Sequence, residues 1–160
     1  MKNLKVWQLV LILIVVVGGS ILFVGGVSGW FSSSQVEIDA EYRCEEGNCG
    51  FQELSPEEYE ELIDAKKSFV VFVDQGGCTT ADRLREYTSR YMDEKGLKVY
   101  KIMFEKMKET SLHDSVKYYP SLAIVSRGKV VGWLRADADE DANAYNNYDD
   151  FLEWVNLYIK

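Results

Sequence analysis

Residues 69 to 73 read FVVFV, an unbroken apolar run of branched and aromatic side chains. A strand with one wet face alternates apolar and polar residues, so a run without alternation predicts a strand covered on both faces. A chain of 160 residues is long enough for one ordinary domain with a real core. Covering both faces of a central strand in such a domain calls for helices packed on each side of a sheet. The expectation is therefore an α/β architecture.

The flanking segments supply the helices. In LSPEEYEELIDA, Ser55 stands as N-cap, Pro56 at the first helical position and Glu58 three residues after the cap, which is the pattern of a capping box. Leu54 and Tyr59 are placed for a hydrophobic staple, and Tyr59, Leu62 and Ile63 share one face. TTADRLREYTSRYMDEKG puts Leu84, Tyr87, Thr88 and Tyr91 on one helical face and ends at Gly96, a natural C-cap. LKVYKIMF predicts a second strand and EKMKETSLHDSVKYY a polar helical or looped crossover. SLAIVSRGKVVGWL predicts a hairpin turning at Arg127-Gly128. DDFLEWVNLYIK closes the chain as a helix with Phe151, Leu152, Val155 and Tyr158 on its apolar face. The predicted order is a βαβ unit followed by a ββα unit.

The N-terminus is of another kind. Leu9 to Val27 carries no charge and is long enough to cross a bilayer as a helix. Trp7 on one side and Trp30 with Phe31 on the other suit the two interfaces. A cleaved signal peptide is the alternative, with Lys2 and Lys5 as its basic region and VSG at 27–29 as its cleavage site; the apolar run exceeds the usual length of such a segment. The expected organisation is a short cytoplasmic N-terminus at 1–8, a transmembrane signal-anchor helix at 9–30, a linker at 31–53 and a folded domain at 54–160. Lys2 and Lys5 before the span set the N-terminus inside and the domain outside the cytoplasmic membrane. All 26 acidic residues follow the apolar stretch, making the outer part more acidic than the whole chain's −8. Such a charge repels phosphate backbones and anionic headgroups, so nucleic acid is not an expected partner.

Cys44 and Cys49 bracket Gly47-Asn48, a turn-forming dipeptide, and in an oxidising compartment they are expected to form a local structural disulfide. Metal binding is the alternative, but the chain's single histidine, His113, is remote in sequence, and no metal or other cofactor is expected. In RADADEDANAYNNYDD the alternating Asp137, Asp139 and Asp141 invite a calcium-loop reading, yet Ala142 and Tyr148 occupy the positions where an EF-hand needs Gly and Glu. A solvated acidic loop is expected instead.

In residues 54–160 the chain resembles the thioredoxin superfamily. Three features carry the resemblance: the buried strand, Cys78 at the mouth of the following helix, and the proline of KYYPSL before the hairpin. The resemblance implies a thioredoxin-like fold, a central mixed sheet flanked by helices, with Cys78 on the family's nucleophilic cysteine and Tyr119-Pro120 on its cis-proline pair. Gly77, Thr79, Thr80, Ala81, Tyr119 and Pro120 would then form the motif and substrate groove. The chain departs from W-C-x-x-C: Gly77 replaces the tryptophan, Ala81 replaces the resolving cysteine, and Phe72 stands where many members have a buried aspartate. Aligning Cys78 on the second cysteine instead would put Gln75 first and leave no nucleophile. A helix starting near Thr79 would favour the Cys78 thiolate.

Several fates are open for a single thiol. It can work as a monothiol oxidoreductase or isomerase on extracytoplasmic protein or peptide thiols and disulfides, with a membrane redox partner. It can use Cys44 or Cys49 as a remote resolving group. It can belong to a binding or accessory module that has lost redox turnover, or be an inert small residue in the core.

Overall fold

The computed structural model describes residues 35–44 and 49–160. The expected span at 9–30 and the Gly47-Asn48 turn lie outside the described residues. In chain order the elements are β1 (Phe51–Glu53), α1 (Pro56–Asp64), β2 (Phe69–Asp74), α2 (Thr79–Lys95), β3 (Val99–Met103), α3 (Phe104–Met107), α4 (Leu112–Ser115), β4 (Ser121–Ser126), β5 (Lys129–Trp133) and α5 (Tyr148–Tyr158). Single 3-10 turns at Ala40–Tyr42 and Ala142–Tyr145 complete them.

The strands form one sheet in the order β1-β3-β2-β4-β5. β2 pairs in parallel with β3 and antiparallel with β4, and all six of its residues are buried. This mixed sheet with flanking helices matches the thioredoxin-like arrangement that the resemblance implies. Phe69 anchors one face through edge contacts with the rings of Tyr59 from α1 and Tyr100 from β3, at centroid distances of 6.1 and 5.6 Å. α2 meets α5 through Tyr87, which lies 5.7 Å from Tyr148 and 5.9 Å from Phe151.

Local chemistry sets the element ends. Ser55 and Glu58 form the reciprocal capping box, with Glu58 N–H donating to Ser55 Oγ at 3.2 Å and Ser55 N–H to Glu58 Oε2 at 2.8 Å. Gly96 stops α2 in the left-handed region at φ 62°. Arg127 and Gly128, at φ 50° and 73°, make the two-residue turn between β4 and β5, whose twist matches that of the paired strands.

The structure also departs from the sequence reading. The compact unit begins at Gln35, so the described part of the expected linker belongs to the fold. Val36 bridges to Ile159, Arg43 to Leu97, and Phe51–Glu53 adds an edge strand beside β3. The crossover is two one-turn helices that bury Met107, Leu112 and Val116. In α5 the buried face is Tyr148, Phe151, Trp154 and Val155, with Leu152 and Tyr158 only half-buried. The acidic stretch is not wholly solvated: Ala144, Tyr145 and Asp141 are buried, and Asp141 Oδ2 accepts the Arg135 N–H at 2.9 Å. Among the described residues no helix is long and apolar enough to cross a membrane.

Gly128 is the turn position least able to take a side chain. A Cβ there would run into the Ile63 carbonyl oxygen, and the φ is left-handed. Gly128→Ala is expected to cost roughly 2 kcal/mol or more in denaturant unfolding, combining left-handed backbone cost with a backbone clash. Gly50→Ala, where nothing lies within 4 Å of the new Cβ, is expected to stay within about 0.5 kcal/mol of the parent. Equal effects of the two substitutions would contradict the assigned turn.

Candidate functional site

β2 leaves the core at Asp74 and reaches α2 through Gln75, Gly76 and Gly77. Gly77 has φ 73°, and no atom lies within 4 Å of where its Cβ would be, so this turn needs glycine and leaves the approach to the next residue open. Cys78 follows as the N-cap of α2, in extended conformation, with its thiol free and half-buried. Thr79 is exposed, Thr80 half-buried and Ala81 fully buried.

The helix N-terminus acts on the sulfur. The thiol makes no strict capping hydrogen bond, but the Ala81 N–H, followed by the Thr80 N–H and hydroxyl, favours the thiolate and lowers the thiol's pKa from its ordinary value. Partial burial and the Asp82 carboxylate oppose them and are outweighed. The arrangement supplies what a nucleophilic sulfur needs: a thiolate-favouring field and access.

The sheet register brings the second motif to the same end. Val73 of β2 pairs with Ser121 of β4, so the exit of β2 toward Cys78 lies beside the entry to β4 after Pro120. The Tyr119–Pro120 peptide bond is cis. Pro120 is buried, and its carbonyl accepts a hydrogen bond from the Tyr145 hydroxyl at 2.8 Å. That hydroxyl also lies 2.9 Å from the Leu134 carbonyl. Tyr119 stacks on Phe104 at 5.0 Å, with Lys108 Nζ 4.9 Å from the Phe104 ring, while Tyr118 is 48% exposed. The segment before Pro120 therefore presents an aromatic surface.

A disulfide joins Cys44 to Cys49, with Cα atoms 5.4 Å apart. It lies far from Cys78. The Cys44 N–H donates to the carbonyl of Gly96, at the C-terminal end of α2, whereas Cys78 caps the N-terminal end of that 17-residue helix. At about 1.5 Å rise per residue, roughly 25 Å of helix separates them. A remote resolving role for Cys44 or Cys49 is thus excluded without a large rearrangement.

Sequence reasoning missed two participants. Asp74 ends an otherwise apolar strand, and its buried carboxylate is paired with Arg85 of α2; the signal was the acid itself, but not its partner. Tyr145, inside the acidic stretch, anchors the Pro120 carbonyl, and nothing in its neighbourhood marks it.

No protein-family model and no curated protein matches the chain. Among solved structures it is similar to Trxlp from Edwardsiella tarda EIB202, at 14% identity over 61% of this chain and 96% of that one, with a TM-score of 0.46. It is also similar to thioredoxin from Trypanosoma brucei brucei, at 13% identity over 74% and 99%, TM-score 0.47. The J-Trx1 fragment of ERdj5 matches at 18% identity over 66% and 52%, TM-score 0.42. Likeness at this level says nothing about activity.

Three outcomes are expected. The native Cys78 alkylation rate, followed by mass spectrometry, should have its pH midpoint below about 8.5, because the reactive thiolate persists below the ordinary pKa. Thr80→Val should move that midpoint upward, and an unchanged midpoint would remove the Thr80 hydroxyl from the site. Tyr145→Phe should cost about 1–2 kcal/mol in thermal or denaturant unfolding, since it removes a buried hydroxyl's hydrogen bonding. A change near zero would show that the anchor on Pro120 is unimportant.

Proposed function

We propose that this chain handles thiol–disulfide exchange on extracytoplasmic proteins or peptides, as a membrane-anchored thioredoxin-like protein with Cys78 as its single nucleophile. The observation that carries this reading is the placement of an accessible, thiolate-favoured Cys78 at the N-cap of α2. The apolar stretch Leu9 to Val27, preceded by Lys2 and Lys5, supports the anchor and its orientation.

In the reaction the Cys78 thiolate attacks one sulfur of a substrate disulfide. A new S–S bond to Cys78 forms, the substrate S–S bond breaks, and the second substrate sulfur leaves as a thiolate that takes a proton from water. Ala81 is fully buried where a resolving thiol would stand, so the cycle is completed from outside. A second thiolate of the substrate, or of a small-molecule thiol, attacks the substrate sulfur of the mixed disulfide, forms its own S–S bond to it and releases Cys78 as thiolate. Attack from within the substrate isomerises its disulfides with no net oxidation. Pro120, Tyr119 and the first turn, Thr79 and Thr80, border the groove in this reading, and extended peptides pair there in the manner of strand addition.

A second reading is favoured by the same buried Ala81 together with the distant, already oxidised Cys44–Cys49 pair: a binding or accessory module that keeps the groove without turnover. The two separate on covalent trapping. Cells expressing the full chain, quenched with acid and then alkylated, are expected to show reductant-sensitive adducts between it and extracytoplasmic proteins. Those adducts should vanish in Cys78→Ser while membrane retention after alkaline extraction is unchanged. Absence of adducts from a folded wild-type chain would support the binding module, and adducts that persist in Cys78→Ser would rule out Cys78 as the nucleophile.

A further inference from the structure

The thiol–disulfide reading leaves unused an ion cluster one helical turn from the sulfur. Arg85 Nη2 donates to both carboxylate oxygens of Asp74, at 2.8 and 3.1 Å, and Arg85 Nη1 donates to Asp82 Oδ1 at 2.7 Å. The two acids differ in what they need. The Asp74 side chain is 6% exposed and the Asp82 side chain 66%. A buried carboxylate is costly without its counter-ion, which explains the Asp74 contact, whereas water alone would satisfy Asp82.

Asp82 is the acid that stands near the thiol. Its N–H donates to the Cys78 carbonyl at 3.0 Å, which places it one turn along the helix from the sulfur. A carboxylate in the first turn suits the helix dipole but disfavours a second negative charge beside it. The Asp82 carboxylate opposes ionisation of Cys78, less strongly than the helix N–H groups favour it. Arg85 is paired with Asp74 from β2, and the cleft it shares along α2 is lined by the charged side chains of Asp82, Glu86, Arg90, Asp93 and Glu94, with Phe51 from β1.

We propose that Arg85 is a positioning residue for Cys78: its guanidinium draws the Asp82 carboxylate onto the Asp74 pair and offsets part of a charge that opposes the thiolate. This role rests on the reading of Cys78 as the nucleophile. It also accounts for arginine at this position, because two separate carboxylates are met by the two ends of one planar fork, which a lysine ammonium cannot reproduce.

The test is the pH profile of Cys78 alkylation by iodoacetamide in the full chain, at low and high salt, for wild type, Arg85→Gln, Arg85→Gln with Asp82→Asn, and Arg85→Gln with Asp74→Asn. Arg85→Gln is expected to move the profile to higher pH and slow the neutral-pH reaction by about two- to fivefold, the range set by one largely exposed charge pair. Asp82→Asn in that background should restore the wild-type profile, and raised salt should shrink the difference. If Arg85→Gln fails to fold because Asp74 is left buried and unpaired, the Asp74→Asn double variant keeps Asp82 unneutralised and should show the same slowing. A folded Arg85 variant whose profile superposes on a reactive wild type would overturn the role of Arg85 alone, as would slowing that survives Asp82→Asn. A wild-type thiol that reacts only at or above its ordinary pKa would overturn the reading of Cys78 and the role of Arg85 with it.

Discussion

Burial of β2 on both faces and along both edges is the constraint on which the molecule depends. Its backbone groups have no water to turn to, so they must pair with β3 on one side and β4 on the other. Those two pairings, one parallel and one antiparallel, fix the register of the sheet. A slip of one residue would exchange the faces on which Phe69, Val71 and Val73 lie with those of Val70 and Phe72. Once the register is set, the exit of β2 and the entry of β4 must share one end of the sheet. The site is a consequence of that packing rather than an addition to it.

At this end the local rules conflict. Apolar burial continues up to Val73, yet the next residue is a buried aspartate that needs Arg85. The chain then turns through a positive-φ glycine, and the first residue with a nucleophilic side chain meets the unpaired N–H groups of a long helix. Elsewhere, as at the capping box of α1 or the turn at Gly128, local preference and tertiary packing agree. Departures from such agreement gather at functional sites. The concentration of them between Asp74 and Arg85 is part of why Cys78 reads as more than a small core residue.

Features legible in the sequence were those whose chemistry is local. Ser55, Pro56 and Glu58 announce a helix start within four residues, Gly96 announces an end, and the FVVFV run can be satisfied only by a covered strand. β1 was illegible because three residues at a sheet edge carry no period. Met107, Leu112 and Val116 were hidden among charges in one-turn helices too short to show a face. Tyr145 and Asp141 are buried by partners at Pro120 and Arg135, so composition alone made their segment look solvated. At the site, Cys78 and Pro120 could be marked from their neighbours, but the Asp74–Arg85–Asp82 cluster and the distance of Cys44–Cys49 from the thiol exist only after folding.

The proposed function requires that the fold activate Cys78 toward disulfides. Its most direct test is the rate at which the native full chain forms a mixed disulfide with oxidised glutathione at neutral pH, compared with the same chain in denaturant. A faster native reaction is expected, confined to Cys78 and absent from Cys78→Ser. A native thiol slower than the unfolded one would mean that the fold shields the sulfur instead of activating it, and the proposed function would fall.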